Sequence, residues 1–108
     1  MKIYSNNKQE LVTRESISSV MICFDEVIKP GEEEGTTIYE YDMVRVSFPY
    51  DYSSVVSAII NDRYSNDKMQ AIINNHLLEM NDGEHEAEFN EMQAWRAHAK
   101  EIGHLVCD

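Results

Sequence analysis

The chain has 108 residues, 43% of them hydrophobic and 9% aromatic, with 20 acids against 9 bases and a formal net charge of −11. That length fits a single domain, 1–108, with a modest core, and this composition argues against disorder throughout. No apolar run reaches the roughly 18 residues that span a bilayer, and a negative field repels phosphate backbones and anionic headgroups, so neither a membrane nor direct nucleic-acid contact is expected.

The amino terminus, Met1-Lys2-Ile3-Tyr4-Ser5-Asn6-Asn7-Lys8, turns polar at once and lacks the apolar stretch of a secretory signal. The expected location is therefore the cytosol. Ile3-Tyr4 suits a short strand, while Glu10 to Ser19 fits helix and extended chain equally well. Val20 to Ile28 is nearly continuous apolar chain up to Asp25-Glu26 and reads as a strand. Cys23 lies inside it as a small hydrophobe, whereas Cys107 is next to the last residue; neither belongs to a Cys-x-x-Cys pair, and a reducing compartment disfavours a bridge.

Lys29-Pro30-Gly31-Glu32-Glu33-Glu34-Gly35 is a turn, because Pro-Gly and a second Gly punctuate it and three glutamates cannot enter a core. Thr36 to Phe48, rich in Thr, Ile, Tyr and Val, then reads as a second strand, completing an antiparallel hairpin. Val44, Val46 and Phe48 share one parity; Tyr39, Tyr41 and Met43 share the other. The change predicts a bulge or twist near Asp42, or two partly covered faces.

Pro49 ends the strand and helices follow. Ser53 is the expected N-cap of the first, with Val55, Val56, Ile59 and Ile60 at helical spacing. Ser65 caps the second and Asp67 sits in its first turn; Met69, Ile72, Ile73, His76, Leu77 and Met80 form its apolar stripe. Asn81-Asp82-Gly83 breaks it, and a third helix runs from about Glu84 to about His104. In that helix and just beyond it, Met92, Trp95, Ala99, Ile102 and Val106 repeat at three- and four-residue spacing. The expected fold is α+β: an N-terminal antiparallel β-hairpin or small sheet over about 1–49, followed by three helices over about 53–104 packed against it.

The chemistry of catalysis is hard to assemble from these residues. Glu101 and His104 form one Glu-x-x-His, and His85 and Glu88 another helical pair, but a di-iron bundle needs two such elements and further carboxylates, and no His-Glu-x-x-His is present. There is no Gly-x-Ser-x-Gly turn and no glycine-rich phosphate loop. Cys23 lacks an electropositive setting, and His76 lies on an apolar stripe, the place of a core histidine. No catalytic residue, no metal and no cofactor is expected.

Two surfaces remain for contact. Glu79, Asp82, Glu84, Glu86, Glu88 and Glu91 form an acidic run without Lys or Arg. Such acids favour a helix start, and they would also meet a basic partner. Trp95 and Arg96 are residue types that anchor interfaces, although Trp95 equally fits the apolar seam. Tyr39 and Tyr41 would extend such a surface if they face outward.

Glu91-Met92-Gln93-Ala94-Trp95-Arg96-Ala97-His98-Ala99-Lys100-Glu101-Ile102 resembles the closing helix of small proteins from phage tail-gene regions, including tail-fibre assembly proteins. In those proteins a Trp-Arg or Trp-Lys pair follows a Gln/Glu-Ala step. Tyr64-Ser65-Asn66-Asp67-Lys68-Met69-Gln70-Ala71-Ile72-Ile73-Asn74-Asn75 is similar to uncharacterised prophage proteins of gut bacteria. The resemblance covers about a quarter of the chain. It implies a phage accessory or assembly role exercised through protein contacts, without enzymatic activity.

The leading expectation is thus an acidic interaction or assembly protein that binds another protein, with self-association as a variant. Two alternatives stand beside it. One is an acidic inhibitor that mimics nucleic acid on the basic surface of a DNA- or RNA-binding protein; the other is an unrecognised hydrolase or metalloprotein.

Overall fold

The computed structural model describes residues 1–78 and 83–108. Met80, Asn81 and the acids Glu79 and Asp82 lie outside the described residues. The fold is α+β: a four-stranded antiparallel sheet precedes three helices. The chain forms two compact units, Met1–Asp51 and Tyr52–Asp108.

The first unit comprises β1 (Lys2–Ser5), β2 (Val12–Arg14), β3 (Ser19–Pro30) and β4 (Thr37–Ser47), in the order β1-β4-β3-β2. The long β3–β4 hairpin is its frame, closed by Gly31 N–H donating to Thr36 O at 2.9 Å. Gly35 takes φ +83°, a conformation L side chains rarely adopt, so the second glycine of the turn is fixed by backbone geometry. The segment from Glu10 to Ser19, whose sequence fits helix and extended chain equally well, supplies β2 and a tight turn in which Arg14 donates to the carbonyls of Ser16 and Ile17. The Arg14 guanidinium also lies 3.5 Å from the Phe48 ring centroid.

β1 and β2 occupy opposite edges of the sheet, so residues 6–11 must cross β4 and β3 to join them. Three strand spacings of about 4.8 Å are within reach of an extended segment of that length. The crossing runs over the face that carries Tyr41: the Gln9 amide donates to the Tyr41 hydroxyl at 2.8 Å, and Leu11 O accepts from Cys23 N–H at 3.0 Å. Beneath it lies a small core of Cys23, Tyr41 and Met43, with Ile3, Met21 and Tyr39 around it. Burial pushes the Cys23 thiol up, as suits an inert, packed cysteine.

On the opposite face Val20, Ile22, Val44 and Val46 are buried, with Val20 opposite Val46 and Ile22 opposite Val44. Both faces are therefore covered at the sheet's centre, which accounts for the two apolar parities in β4. The bulge is also present, but its extra residue belongs to β3: Phe24 pairs with Asp42 and Val27 with Glu40, leaving Asp25 and Glu26 opposite Tyr41 alone. Asp25 has φ 55°, the left-handed backbone such a bulge uses.

The second unit contains α1 (Tyr52–Arg63), α2 (Asn66–Leu78) and α3 (Gly83–Cys107). α1 begins two residues earlier than the expected Ser53 cap allows, so Asp51 holds the capping position and Ser53 is inside the first turn. Ser65 caps α2 as expected, its Oγ accepting from Lys68 N–H at 3.1 Å. α3 packs against both other helices. Its seam of Met92, Trp95, Ala99 and Ile102 is buried, as are Val55, Val56 and Ile59 of α1 and Ile72 of α2, and Trp95 bonds to the Ile59 carbonyl across the α1–α3 contact. Each fully buried Val, Ile or Met contributes about 1.5–3 kcal/mol relative to exposure.

Gly103 joins the seam for a steric reason. A Cβ there would stand 2.6 Å from Val56 Cγ2 and about 3 Å from the Tyr52 ring, so the glycine lets α1 and α3 approach closely. Tyr52 and His104 rings lie 4.7 Å apart beside it. Between α2 and α3, His76 stacks on Phe89 at 4.0 Å and is half-buried, at the margin of the helical core and not within it as the apolar stripe predicts. The apolar stripe of α2 is narrower than its spacing predicts, because Leu77 is exposed along with Leu78. Among the described residues, no helix is long and apolar enough to cross a membrane.

Candidate functional site

The residues named from the sequence fall into three environments. Trp95 is buried, 6% exposed; its indole N–H donates to Ile59 O at 3.0 Å, and the Arg63 guanidinium lies 3.6 Å from its ring centroid. It works as a core residue of the helical unit. Arg96 is half-buried and donates to Gln93 Oε1 at 3.3 Å. Tyr41 is buried and Tyr39 half-buried, both on the sheet face crossed by residues 6–11.

Glu84, Glu88 and Glu91 are exposed on α3. Glu91, and more weakly Glu88, acts on the nearby Tyr64 phenol, which burial chiefly and these carboxylates secondarily push above its usual range. Lys68 lies 5.1 Å from the Tyr64 ring centroid. Part of the acidic run thus belongs to a local cluster around Tyr64.

Three of the described histidines have separate neighbours: His76 has Phe89, His98 lies beside Trp95 and 3.7 Å from Glu101, and His104 Nδ1 is 2.9 Å from Asp108 Oδ2. Among the described residues, no group of three or more His, Cys, Asp or Glu is placed to hold a metal ion. Cys23 and Cys107 are both free thiols.

The outer part of the β3–β4 hairpin exposes apolar surface beside open backbone. β2 pairs with β3 only from Val20 to Ile22, and Leu11 extends that coverage to Cys23. From Val27 to Pro30, β3 has β4 on one side and, among the described residues, no strand on the other. Val27 and Ile28, on opposite faces of this edge, are 43% and 62% exposed. Tyr4 of β1 pairs with Glu40, which pairs with Val27, so Tyr4 and Val27 flank Glu40 on one face; Tyr4 is 65% exposed.

A charge ladder runs through the same face. Lys2 Nζ is 3.2 Å from Asp42 and 3.7 Å from Glu40, and Lys29 pairs with the other oxygen of Glu40. The Lys29 hydrogen bond is the main reason the Glu40 carboxyl lies below its usual range. Both lysines remain about half exposed, so the ladder is screened by solvent and sets side-chain positions more than stability.

At the tip, Asn6, Gly31, Glu32, Glu33, Thr36, Thr37 and Ile38 line an open cavity of about 590 Å³. Its lining offers carboxylates and hydroxyls over one aliphatic side chain. No cation pairs with Glu32, Glu33 or Glu34 among the described residues.

Tyr4, Val27 and Ile28 were not among the contact residues indicated by the sequence. One signal for the last two lies in the order of residues: two adjacent aliphatics, one for each face, stand between Asp25-Glu26 and a turn with three glutamates. A strand so flanked cannot bury both faces. No protein-family model matches the chain, and neither a curated protein nor a solved structure matches it.

Proposed function

We propose that the chain is an interaction or assembly protein that acts by binding another protein, without catalysis, and that the outer part of the β3–β4 hairpin is the contact surface. The observation that carries this reading is the open edge of β3 from Val27 to Pro30, with Ile28 62% exposed on it. An unpaired strand edge presents backbone donors and acceptors that another chain can complete, and aliphatic side chains on either face add burial. The separation of His76, His98 and His104 into different packing environments favours contact over acid–base or metal chemistry. The phage-assembly reading is compatible with this surface and rests on the resemblance in α2 and α3.

Site-specific photo-crosslinking tests the proposal. A benzophenone amino acid at position 28, introduced in the cells that make the protein, is expected to give a discrete protein adduct. The same group at exposed Glu101 of α3 serves as the control. Equal, diffuse labelling from both positions, or no adduct from position 28, would reject the hairpin as the contact surface.

The acidic-mimic reading is favoured by one specific observation, the exposure of Glu84, Glu88 and Glu91 at positions that follow one side of α3. It calls for binding that weakens steeply with salt and depends on these three carboxylates. Adducts from positions 84 and 88, in place of position 28, would favour it.

A further inference from the structure

We infer that the occupant of the β3 edge is a short extended segment rich in Lys or Arg, added as a strand beside Val27–Lys29; this inference rests on the proposed contact surface above. The length follows from how the edge is bounded. The bulge at Asp25 and Glu26 ends regular pairing on one side, and Pro30, which has no N–H, ends it on the other. About 10 Å of regular edge remains, room for three or four residues of a partner. So short a ladder gives weak affinity by itself, and side chains must supply the rest.

The side chains choose the chemistry. Between Asp25 and Glu34 the sequence has five acids, Asp25, Glu26, Glu32, Glu33 and Glu34, and one base, Lys29. Glu26 is paired with Lys8 at 3.0 Å and Lys29 with Glu40, so the glutamates of the tip are the charges left for a partner. The tip cavity places Glu32 and Glu33 beside the hydroxyls of Thr36 and Thr37 and the aliphatic Ile38. That lining suits an ammonium or guanidinium group carried on an aliphatic stem. Val27 and Ile28 supply apolar contact on both faces for alternate residues of the added strand.

A second copy of this chain is the obvious competitor for an open edge, since edge-to-edge pairing needs no other partner. Charge decides against it. Two such edges paired antiparallel would set the acidic tip of each copy beside Asp25 and Glu26 of the other, on chains that each carry −11. Lys29 and Pro30 also stand where natural sheets place residues that prevent self-pairing. A basic extended segment meets neither obstacle.

The full chain, labelled with nitrogen-15, would be titrated with the peptide acetyl-Lys-Val-Lys-Ile-Lys-Val-amide and with its counterpart carrying Glu in place of Lys. The basic peptide is expected to shift the amides of Val27, Ile28 and Lys29, to slow exchange at those facing outward, and to bind about tenfold more weakly when salt rises from about 50 to about 500 mM. Replacing Glu32, Glu33 and Glu34 with Gln, on an exposed loop, is expected to lower the affinity at least threefold while leaving the Ile22 and Val44 amides unmoved.

Equal binding of the acidic peptide, or shifts confined to the helical unit, would overturn the inference. Shifts at Val27–Lys29 that grow with protein concentration in the absence of peptide would assign the edge to a second copy and likewise overturn it. A discrete photo-adduct through position 28 together with no response to the basic peptide would keep the contact surface and reject only the basic chemistry.

Discussion

The hydroxyl of Tyr41 donates to Glu26 Oε1 at 2.6 Å while accepting the amide proton of Gln9 at 2.8 Å. One buried phenol thus ties the bulge in β3 to the segment that crosses the sheet. Lys8 closes the arrangement by donating to both oxygens of Glu26, at 3.1 and 3.0 Å. The bulge that ends regular pairing before the open edge is held in place by this set of bonds.

Tyr41→Phe removes both hydroxyl bonds and leaves the Gln9 amide without its acceptor. Loss of a buried hydrogen-bonding group of this kind costs about 1–2 kcal/mol. The expected result is urea unfolding of the sheet at lower concentration, followed by the Val44 amide, with faster exchange at Gln9. Unchanged exchange at Gln9 would show that the crossing segment is held by other contacts.

The pH dependence of this lock has a defined sign. The Tyr41 hydroxyl first, then Lys8, holds the Glu26 carboxyl below its usual range. Its contribution is present above the unfolded carboxylate value of about 4.3 and is lost as pH falls through the folded value. In the other direction burial, then Glu26, pushes the Tyr41 phenol above its usual range, so its contribution is complete below about 10 and is lost as pH rises through the folded value. Once intrinsic exchange rates are corrected for pH, the protection of the Gln9 amide is therefore expected to hold through neutrality and to fall at both extremes. Glu26→Gln should flatten the acid limb.

Gly103→Ala tests the close approach of α1 and α3. The added methyl would meet Val56, whose branched side chain has little freedom to move, and the Tyr52 ring. Overpacking of this kind costs about 1–3 kcal/mol, against a gain of about 1 kcal/mol in helix propensity. A lower melting temperature of the helical unit is expected by circular dichroism. A higher one would mean that the helices separate without strain.

Arg63→Ala removes the guanidinium 3.6 Å from the Trp95 ring centroid. A shifted emission maximum of Trp95 is expected, with a loss of about 0.5–1 kcal/mol in urea unfolding. Because Trp95 is the only tryptophan in the chain, its fluorescence reports this contact without interference.

The helical unit was largely legible because its signals are local. Ser65 and the three-four spacing of Met92, Trp95, Ala99 and Ile102 sit on contiguous chain, and each plays the part its position implies. Gly103 was not legible, since its need for a missing Cβ arises only when Val56 and Tyr52 arrive from another helix. In the sheet, the Pro30-Gly31 and Gly35 turn was readable, and so was the parity change in β4. That the extra residue sits in β3 at Asp25 was not, because a register belongs to two strands at once.

The candidate site was the least legible part. Trp95, Tyr39 and Tyr41 drew attention as residue types common in interfaces, yet residue type carries no information on which face the chain itself covers. Residues 6–11 cross over the face of Tyr41, while among the described residues no strand continues beside Tyr4, Val27 and Ile28 at the outer edges. An open edge is a property of strand order, with β2 too short to follow β3 to its end.

The most direct measurement is amide hydrogen exchange at position 28, compared between the free chain and the adduct captured through that position. The bond from Gly31 N–H to Thr36 O and the pairing of Lys29 with Ile38 and of Val27 with Glu40 turn the amides of Val27 and Lys29 toward β4 and that of residue 28 away from it. The amide of residue 28 should exchange rapidly in the free chain and slowly in the adduct, while Cys23, bonded to Leu11, stays protected in both. Slow exchange at position 28 in the free chain would mean that the edge is already occupied, and equally rapid exchange in the adduct would mean that no strand is added there; either contradicts the account.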